Sequence, residues 1–558
     1  MMKKSLSKFI TLLLVLTITL ALVSCGNKDD DKQPSSNQAQ TPPDNTDNED
    51  DKTDKEGVPG WQANSDDKVT VTWYVNYSWF TTPWGENLIS RTITEETGVN
   101  VEFVVPAGNE TEKLNSLIAS DSLPDLVTIG WWEPQVGQMI DDGMVYALDE
   151  LANEYDPYWF TVADPDRVGW FTQPDGHIYG YPNSSFSPND YEMYDNIPSN
   201  QTFLVRKDMY EAIGSPDMTT PEGFKAAVRV ATEMFPEVNG QPLIPIGAHE
   251  FISTGNNSFD LFLSNFLAIP YEKDGKYYNR YTDPELITWL KVFRELGAEG
   301  YLAEDIFIDK RAQMEEKIAQ GRYFCMLYQR TDFADQQRML YGADPNSIYI
   351  AIDGPKNSNG DDHTLPGTGI NGWTLTLISK SCKRPDRAIQ LCSYLMSEHG
   401  QHMTWLGVEG ITWDYVYGVP TMRQEVRDIL ISDRAEYDRL YGSDAAYWMF
   451  QDNAMALRWA VHTPDPLGQM ERWTYPYVIS TSQYDVTLPA GSDEQEIKIK
   501  IDNEWGNVLT QLLLAETEEK FDQILNDFKI KIESFGLEKL NAMQTKLMNE
   551  AKDKLGID

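Results

Sequence analysis

Between residues 68 and 130 apolar positions recur with two alternating periods. KVTVTWYVNY (68–77) alternates apolar and polar side chains, the period of a strand. NLISRTITEETG (87–98) follows as a helix stopped by Gly98, and VNVEFVVPAG (99–108) as a strand that leaves through Pro106 and Gly108. NETEKLNSLIASDSLPD (109–125) then carries Leu114, Leu117 and Ile118 on one side of a helix before the short apolar strand LVTIG (126–130). This β-α-β-α-β order predicts an α/β sheet with helices on its faces. In open sheets of that kind, ligands bind beyond the carboxyl ends of the strands. Trp131, Trp132 and Glu133 stand at such an end.

A second series begins near residue 201. TFLVRKDMYEAIG runs from strand to helix with Gly214 as its stop, and TTPEGFKAAVRVATEMF (219–235) opens with a threonine cap followed by Pro221 and Glu222. DPELITWLKVFRELGAEGYLAED (283–305) reads as a helix with a glycine-bearing exit, and GRYFCMLYQR (321–330) as a buried strand. GWTLTLISK (372–380) is another strand, followed by RPDRAIQLCSYLMSEHG (384–400) as one capped helix ending at Gly400. From about residue 420 the pattern is mainly helical. No fixed-period repeat occurs, which excludes solenoids and propellers.

The amino terminus changes the picture. Lys3, Lys4 and Lys8 precede an apolar run from Phe9 to Val23, too short to span a bilayer, and Leu22-Val23-Ser24-Cys25 has the form of a bacterial lipobox. Residues 1–25 therefore read as a lipoprotein signal peptide with Cys25 as the lipidated residue, and acyl chains there would hold the protein on a membrane surface. Residues 26–67, rich in Asp, Asn, Pro, Ser and Gln, read as a disordered acidic tether. The formal charge of the chain is −41. The first 25 residues hold three lysines and no acid, and residues 26–67 hold four lysines against 12 acids, so the remaining 491 residues carry −36. A body that acidic repels phosphate backbones, and no basic patch interleaved with aromatics offsets this, so nucleic acid is excluded as a partner. Cys325 and Cys392 fall in apolar patterns as small buried hydrophobes, and a Cys382–Cys392 bridge stays open.

Candidate chemistry lies in the aromatics. The chain holds 16 Trp and 28 Tyr, and many lie at strand ends or in loops: Tyr74, Trp79, Trp131, Trp132, Trp373, Trp413 and Trp448. A pyranose ring has an apolar C–H face and a rim of hydroxyls, so it needs flat aromatic platforms with polar groups aimed at the rim. VNYSW, GWWEP, YQR and INGW each set an aromatic beside such a group, which adds Asn76, Glu133 and the forked guanidinium of Arg330 to the candidates. GTGING (367–372) matches a dinucleotide loop literally, but the WTLTLIS that follows is a strand where that loop requires a helix, so it reads as a crossover. No Walker A loop, GxSxG elbow or HExxH motif is present, and no cofactor or metal is implied. His399 and His402 are read as part of a helix carboxyl end.

Several stretches in order, TGVNVEFVVPAG, LIASDSLPDLVTIG, DDGMVYALDELANEYDPYW, DGHIYGYPN, TFLVRKDMYEAIG, GRYFCMLYQR, GTGINGWTLTLISKSCKRPDRAIQLCSYLMSEHGQ and GVEGITWDY, resemble the family 1 extracellular solute-binding proteins of bacterial ABC importers, in particular large lipoprotein members from Gram-positive bacteria, and more distantly the maltose-binding proteins. The resemblance implies a two-lobed, periplasmic-binding-protein-like (type II) α/β fold with an interlobe cleft, a hinge and a helical carboxyl-terminal segment. Residues 68–200 plus 367–420 would build one lobe and 201–366 plus 421–558 the other. It implies a monomer, anchored on the extracellular face of the membrane, that captures a carbohydrate and hands it to ABC permease subunits without chemistry. In it Trp131, Trp132 and Trp373 follow the strand positions that face the cleft. A surface glycoside hydrolase shares the anchor and aromatics but needs two carboxylates about 5 to 9.5 Å apart, for which Glu133, Asp353 and Asp414 sit near aromatics. A sensor that presents its ligand to a membrane kinase is the third reading.

Overall fold

The computed structural model describes residues 58–557 except 445, 460–462 and 490; the signal segment, Cys25 and the tether up to residue 57 lie outside them. In chain order, the strands of the two large sheets are β1 (Val69–Val75), β2 (Val99–Val104), β3 (Leu126–Gly130), β4 (Gly180–Pro182), β5 (Gln201–Arg206), β6 (Ile244–Gly247), β7 (Tyr323–Gln329), β8 (Tyr349–Ala351) and β9 (Thr374–Ile378). The first sheet has the order β2-β1-β3-β9-β4 and the second β8-β5-β7-β6. β1 runs parallel to β2 and β3, joined by the two helices expected between them, Leu88–Thr97 and Glu110–Ala119. Asn87 caps the first through its side chain, and Gly98 ends it at φ 74°, a left-handed turn that glycine adopts without penalty.

Side-chain parity along β1 shows how this sheet is covered. Val71, Trp73 and Val75 join a core on one face, while Tyr74 joins a separate core with Leu114, Val127 and Ile129 on the other. Helices cover both faces, so both parities are buried, as in parallel sheets generally. The second sheet has its own large core, in which Phe203, Val205, Phe324 and Met326 pack against the helices Pro221–Met234, Pro284–Ala298, Asp493–Leu513 and Glu518–Phe535. Two sheets with separate cores make two lobes.

The chain passes between them near Ser199, near Gly367 and between residues 459 and 467. Ser199 bridges Gly367, and Leu365 and Pro366 pair in parallel with Val478 and Ile479. The GTGING stretch is thus a crossover leading into β9. Its Gly372 has φ 65°, and a side chain there would run into the Asn183 carbonyl.

Three expectations are corrected. Residues 421–459 do not join the second lobe. Ala446, Tyr447, Trp448, Met449 and Phe450 lie in the core with Trp73, and Val426, Leu430 and Tyr437 pack with Leu406 and Trp413. The second lobe regains the chain at the helix Leu467–Thr474, so its carboxyl-terminal share starts some 45 residues later than the boundary at 420. The stretch 384–400 is two helices, Pro385–Met396 and Glu398–Trp405, broken at Ser397, whose side chain caps the second; His399 and His402 therefore sit within a helix that Gly400 does not end. The tether also stops short of residue 67. Gly60–Ala63 forms a helical turn whose first N–H donates to Asp156 at 3.0 Å, with Trp61 stacked on His399.

Arg387 fixes that segment. It is 1% exposed and donates to the carbonyls of Asn64, at 2.7 Å, and Thr97, and to Gln390 at 3.1 Å. Arg387→Leu leaves interior carbonyls unpaired, and urea unfolding should show a loss of about 2–4 kcal/mol; an unchanged midpoint would mean that residues 60–67 add nothing to the fold.

Candidate functional site

Four aromatics gather where β1 ends and β9 begins. Trp79 and Trp373 stack with centroids 5.9 Å apart and planes 8° from parallel. Trp448, from the single helical turn Trp448–Phe450, lies 4.4 Å from Trp373 and 5.8 Å from Trp79, and Tyr77 is 5.1 to 5.7 Å from all three. Trp448 is 6% exposed, whereas Trp79 is 53% exposed. The buried indole therefore lies beneath the cluster, and Trp79 is its most exposed member. Asn183, 1% exposed, sets the parts in register. It accepts from the Thr374 N–H and hydroxyl at 2.8 and 3.0 Å, donates to the Trp448 carbonyl at 2.9 Å, and its own carbonyl accepts from the Trp373 N–H at 3.2 Å. One amide thus ties the end of β4, the start of β9 and the Trp448 turn together.

Beside this cluster, the pairing of Thr374 with Gly130 puts the end of β3 at the same sheet edge. Trp131 is half-buried against the Tyr74 core, and Trp132 is 50% exposed. Their rings meet at 88°, so the pair offers no single flat surface. Trp132 folds back over Gly130, where a Cβ would come within 2.7 Å of its ring. Burial, and then the charge of Glu110, raise the Glu133 carboxyl above its usual range; burial and Glu133 in turn push the Tyr77 phenol up.

Other expected residues are engaged by partners within the fold. Tyr74 is fully buried and donates to Asn76 at 2.7 Å, so both sit behind the edge, outside its surface. Arg330 spends its guanidinium on the Ser199 carbonyl at 2.8 Å and on Glu471 at 3.0 Å, bracing a crossover. Trp413 lies in the hairpin Trp413–Met422, buried, with its indole N–H on the Gly407 carbonyl. The three candidate carboxylates stand on separate elements: Glu133 after β3, Asp353 after β8 accepting from Tyr477, and Asp414 paired with Arg423 at 2.6 Å. His399 bonds Glu96 at 2.7 Å, and among the described residues no cluster of His, Cys, Asp and Glu can hold a metal. Cys325, Cys382 and Cys392 are free, buried thiols.

The second lobe adds residues that the sequence did not single out. β7 ends opposite the start of β5, with Gln329 paired to Gln201, at the edge from which the crossovers leave. Gln329 donates to Asp332 at 3.0 Å, and Arg311 lies 3.7 Å from Asp332 and 2.7 Å from Glu315. Beyond β6, His249 stacks on Tyr328 at 4.1 Å, and burial, followed by Arg311, lowers its imidazole to about 3, so it stays neutral. An aromatic edge on one lobe and a polar edge on the other are the two kinds of surface that a saccharide ring needs.

Two α/β lobes linked by three crossovers, with side chains gathered at the strand ends, define a two-lobed solute-binding protein. The chain belongs to the bacterial extracellular solute-binding protein family, whose sequence profile matches residues 89–412. It is 26% identical over 186 residues to the fructooligosaccharide ABC transporter substrate-binding protein FusA of Streptococcus pneumoniae, a match that spans 32% of this chain and 34% of that relative. The structure of FusA in complex with kestose aligns with a TM-score of 0.66 at 17% identity, covering 87% of this chain and 100% of that one. The alginate-binding protein AlgQ2 aligns at 0.62 and 16% identity over 86% and 98%. An extracellular solute-binding protein from Bifidobacterium longum subsp. infantis aligns at 0.62 and 16% over 87% and 98%. At these identities the structural likenesses show the fold.

The exposures of the cluster separate support from surface. Trp448→Ala should cost about 3–5 kcal/mol of stability, as other large cavities in cores do. Trp79→Ala should stay within about 1 kcal/mol of the parent, as exposed positions do. Chemical denaturation checks both, and equal losses would show that Trp79 is core.

Proposed function

We propose that the protein captures an oligosaccharide between its lobes and delivers it, uncut, to ABC permease subunits in the membrane. The observation that carries this reading is the parallel Trp79–Trp373 pair, exposed at Trp79 and packed on the buried Trp448, at the strand ends where open α/β sheets bind ligands. Trp79, Trp373 and the exposed face of Trp132 would lie against sugar faces, with Glu133 accepting hydroxyls at the same edge. Gln329, Asp332 and Arg311 would supply polar partners from the other lobe. Tyr74, Asn76 and Trp448 act behind this surface, and Arg330 and Trp413 act through the fold.

A ligand that touches both lobes binds the closed arrangement better and so shifts the population toward it. A permease can then distinguish a loaded protein from an empty one. Family membership and the names of the relatives support binding without hydrolysis. The charge of −41 favours neutral sugars over anionic ones. Among the described residues no helix is long and apolar enough to cross a membrane, and acylation at Cys25 would place the body as a monomer on the outer face of the membrane of a Gram-positive cell.

The test is calorimetric titration of the full-length protein with neutral oligosaccharides of two to five units from fructan, glucan, xylan and mannan, followed by chromatography of the recovered sugar. Intact sugar bound with micromolar or tighter affinity, weakened at least tenfold by Trp79→Ala or Trp373→Ala, is the expected result. Shortened products would move the protein to the hydrolases, and heat with no panel member would remove the carbohydrate reading.

A further inference from the structure

A cavity of about 600 Å³ opens against the crossover itself. One wall is the Gly367–Gly372 backbone, and the others come from the second lobe. Within it Tyr271 and Tyr484 stack at 5.0 Å with planes 9° apart. Arg280 lies 3.9 Å over the Tyr271 ring and is held there by Asn265, at 2.7 Å, and the Ile269 carbonyl. These contacts fix two aromatic rings in place before any ligand arrives.

Three carboxylates line the cavity, and they are satisfied very differently. Asp260 accepts from the Asn256 and Leu261 N–H groups and from the Trp505 indole. Asp502 accepts from Lys498 and from the Tyr281 hydroxyl. Asp485 accepts nothing through its carboxylate from any described residue, although its backbone carbonyl accepts from Asn371 at 3.4 Å. The carboxylate lies against the crossover, since a Cβ on Gly369 would stand 3.2 Å from its Oδ2. Burial alone raises its pKa to about 7. A carboxylate that lines a cavity and receives no donor from the described residues keeps its acceptor sites for a ligand with hydroxyls to donate. Arg280 and Lys498, the cations lining the cavity, are already engaged, so the unmet need is for hydrogen-bond donors at Asp485.

We propose that this hinge cavity is a saccharide subsite in which Asp485 accepts two neighbouring hydroxyls of one ring while the Tyr271–Tyr484 pair borders that ring. The assignment rests on the carbohydrate reading given above and extends it. Trp373 directly follows the Gly367–Gly372 wall, so one crossover carries both the wall of this cavity and a member of the aromatic platform. A ring seated on Asp485 presses on the segment through which the lobes are joined. The subsite therefore ties occupancy to the arrangement of the hinge, whereas the platform supplies the wider contact area.

The experiment titrates the full-length parent, Asp485→Ala, Asp485→Asn and Trp79→Ala with the same neutral oligosaccharides, with thermal unfolding of each as a check on the fold. Asp485→Ala should weaken binding about 10- to 100-fold, as expected for the loss of two hydrogen bonds to the ligand. Asp485→Asn, which keeps the shape and one acceptor, should fall between Ala and the parent, and neither change should lower the melting temperature. If the parent binds sugar and Trp79→Ala weakens it while both Asp485 variants stay within twofold, the hinge subsite is wrong and the carbohydrate reading stands. If the parent binds none of the sugars, both fall. Should Asp485→Ala fail to fold, Asp485→Asn decides alone, and parent-like affinity in it overturns the subsite.

Discussion

The pairing of three short backbone segments governs how this molecule is put together. Ser199 bridges Gly367, and Leu365–Pro366 lie along Val478–Ile479. Each lobe has its own sheet and its own apolar core, so the lobes can turn against each other while those cores stay packed. Side chains brace the junction as well: Tyr191 donates to the Thr368 carbonyl at 2.8 Å, and Phe186 and Ile197 pack with Val478. Arg330 carries a β7 end onto the Ser199 carbonyl and Glu471, and Trp170 donates to Asn371 at 2.6 Å.

Much of the fold was readable in the chain because its signals are local. Asn87, Gly98 and Thr220 cap or end helices through atoms within a few residues, so the pattern and the structure agree on those elements almost residue for residue. The placement of residues 421–459 was not readable. Amphipathic helices such as Gln424–Ser432 and Arg434–Leu440 show an apolar stripe but not its partner, and these meet Leu406 and Trp413 in the first lobe. The break at Ser397 was hidden in a similar way: the apolar pattern runs on through it, while the Ser397 side chain starts a new helix. Residues 58–67 look like tether by composition, yet Arg387, more than 300 positions away, supplies the contacts that hold them.

Which candidate side chains reach the surface was legible only in part, and for one reason. Aromatic abundance and strand ends are local features, and they led to Trp79, Trp373 and Trp132. Which face a side chain takes depends on parity and on coverage by distant helices. Tyr74 fell on a covered face, and Trp448, far along the chain, came back beneath the platform. The Trp131–Trp132 pair looked like the flat surface, but it meets at a right angle, and the parallel pair is Trp79–Trp373, almost 300 positions apart. Arg330 has the right chemistry for sugar hydroxyls and is already occupied by the hinge. Asn183 carried no signal beyond its place in a strand-end turn, although it holds three parts of the platform together.

On the proposed function, one ligand draws the two lobes together through the hinge. Spin labels at Ser120, exposed at the end of the helix Glu110–Ala119 in the first lobe, and at Met234, exposed at the end of the helix Pro221–Met234 in the second, would report their separation by pulsed electron resonance. With a binding oligosaccharide added, the distance distribution should move to a new and narrower position. An unchanged distribution at saturating sugar would contradict the account.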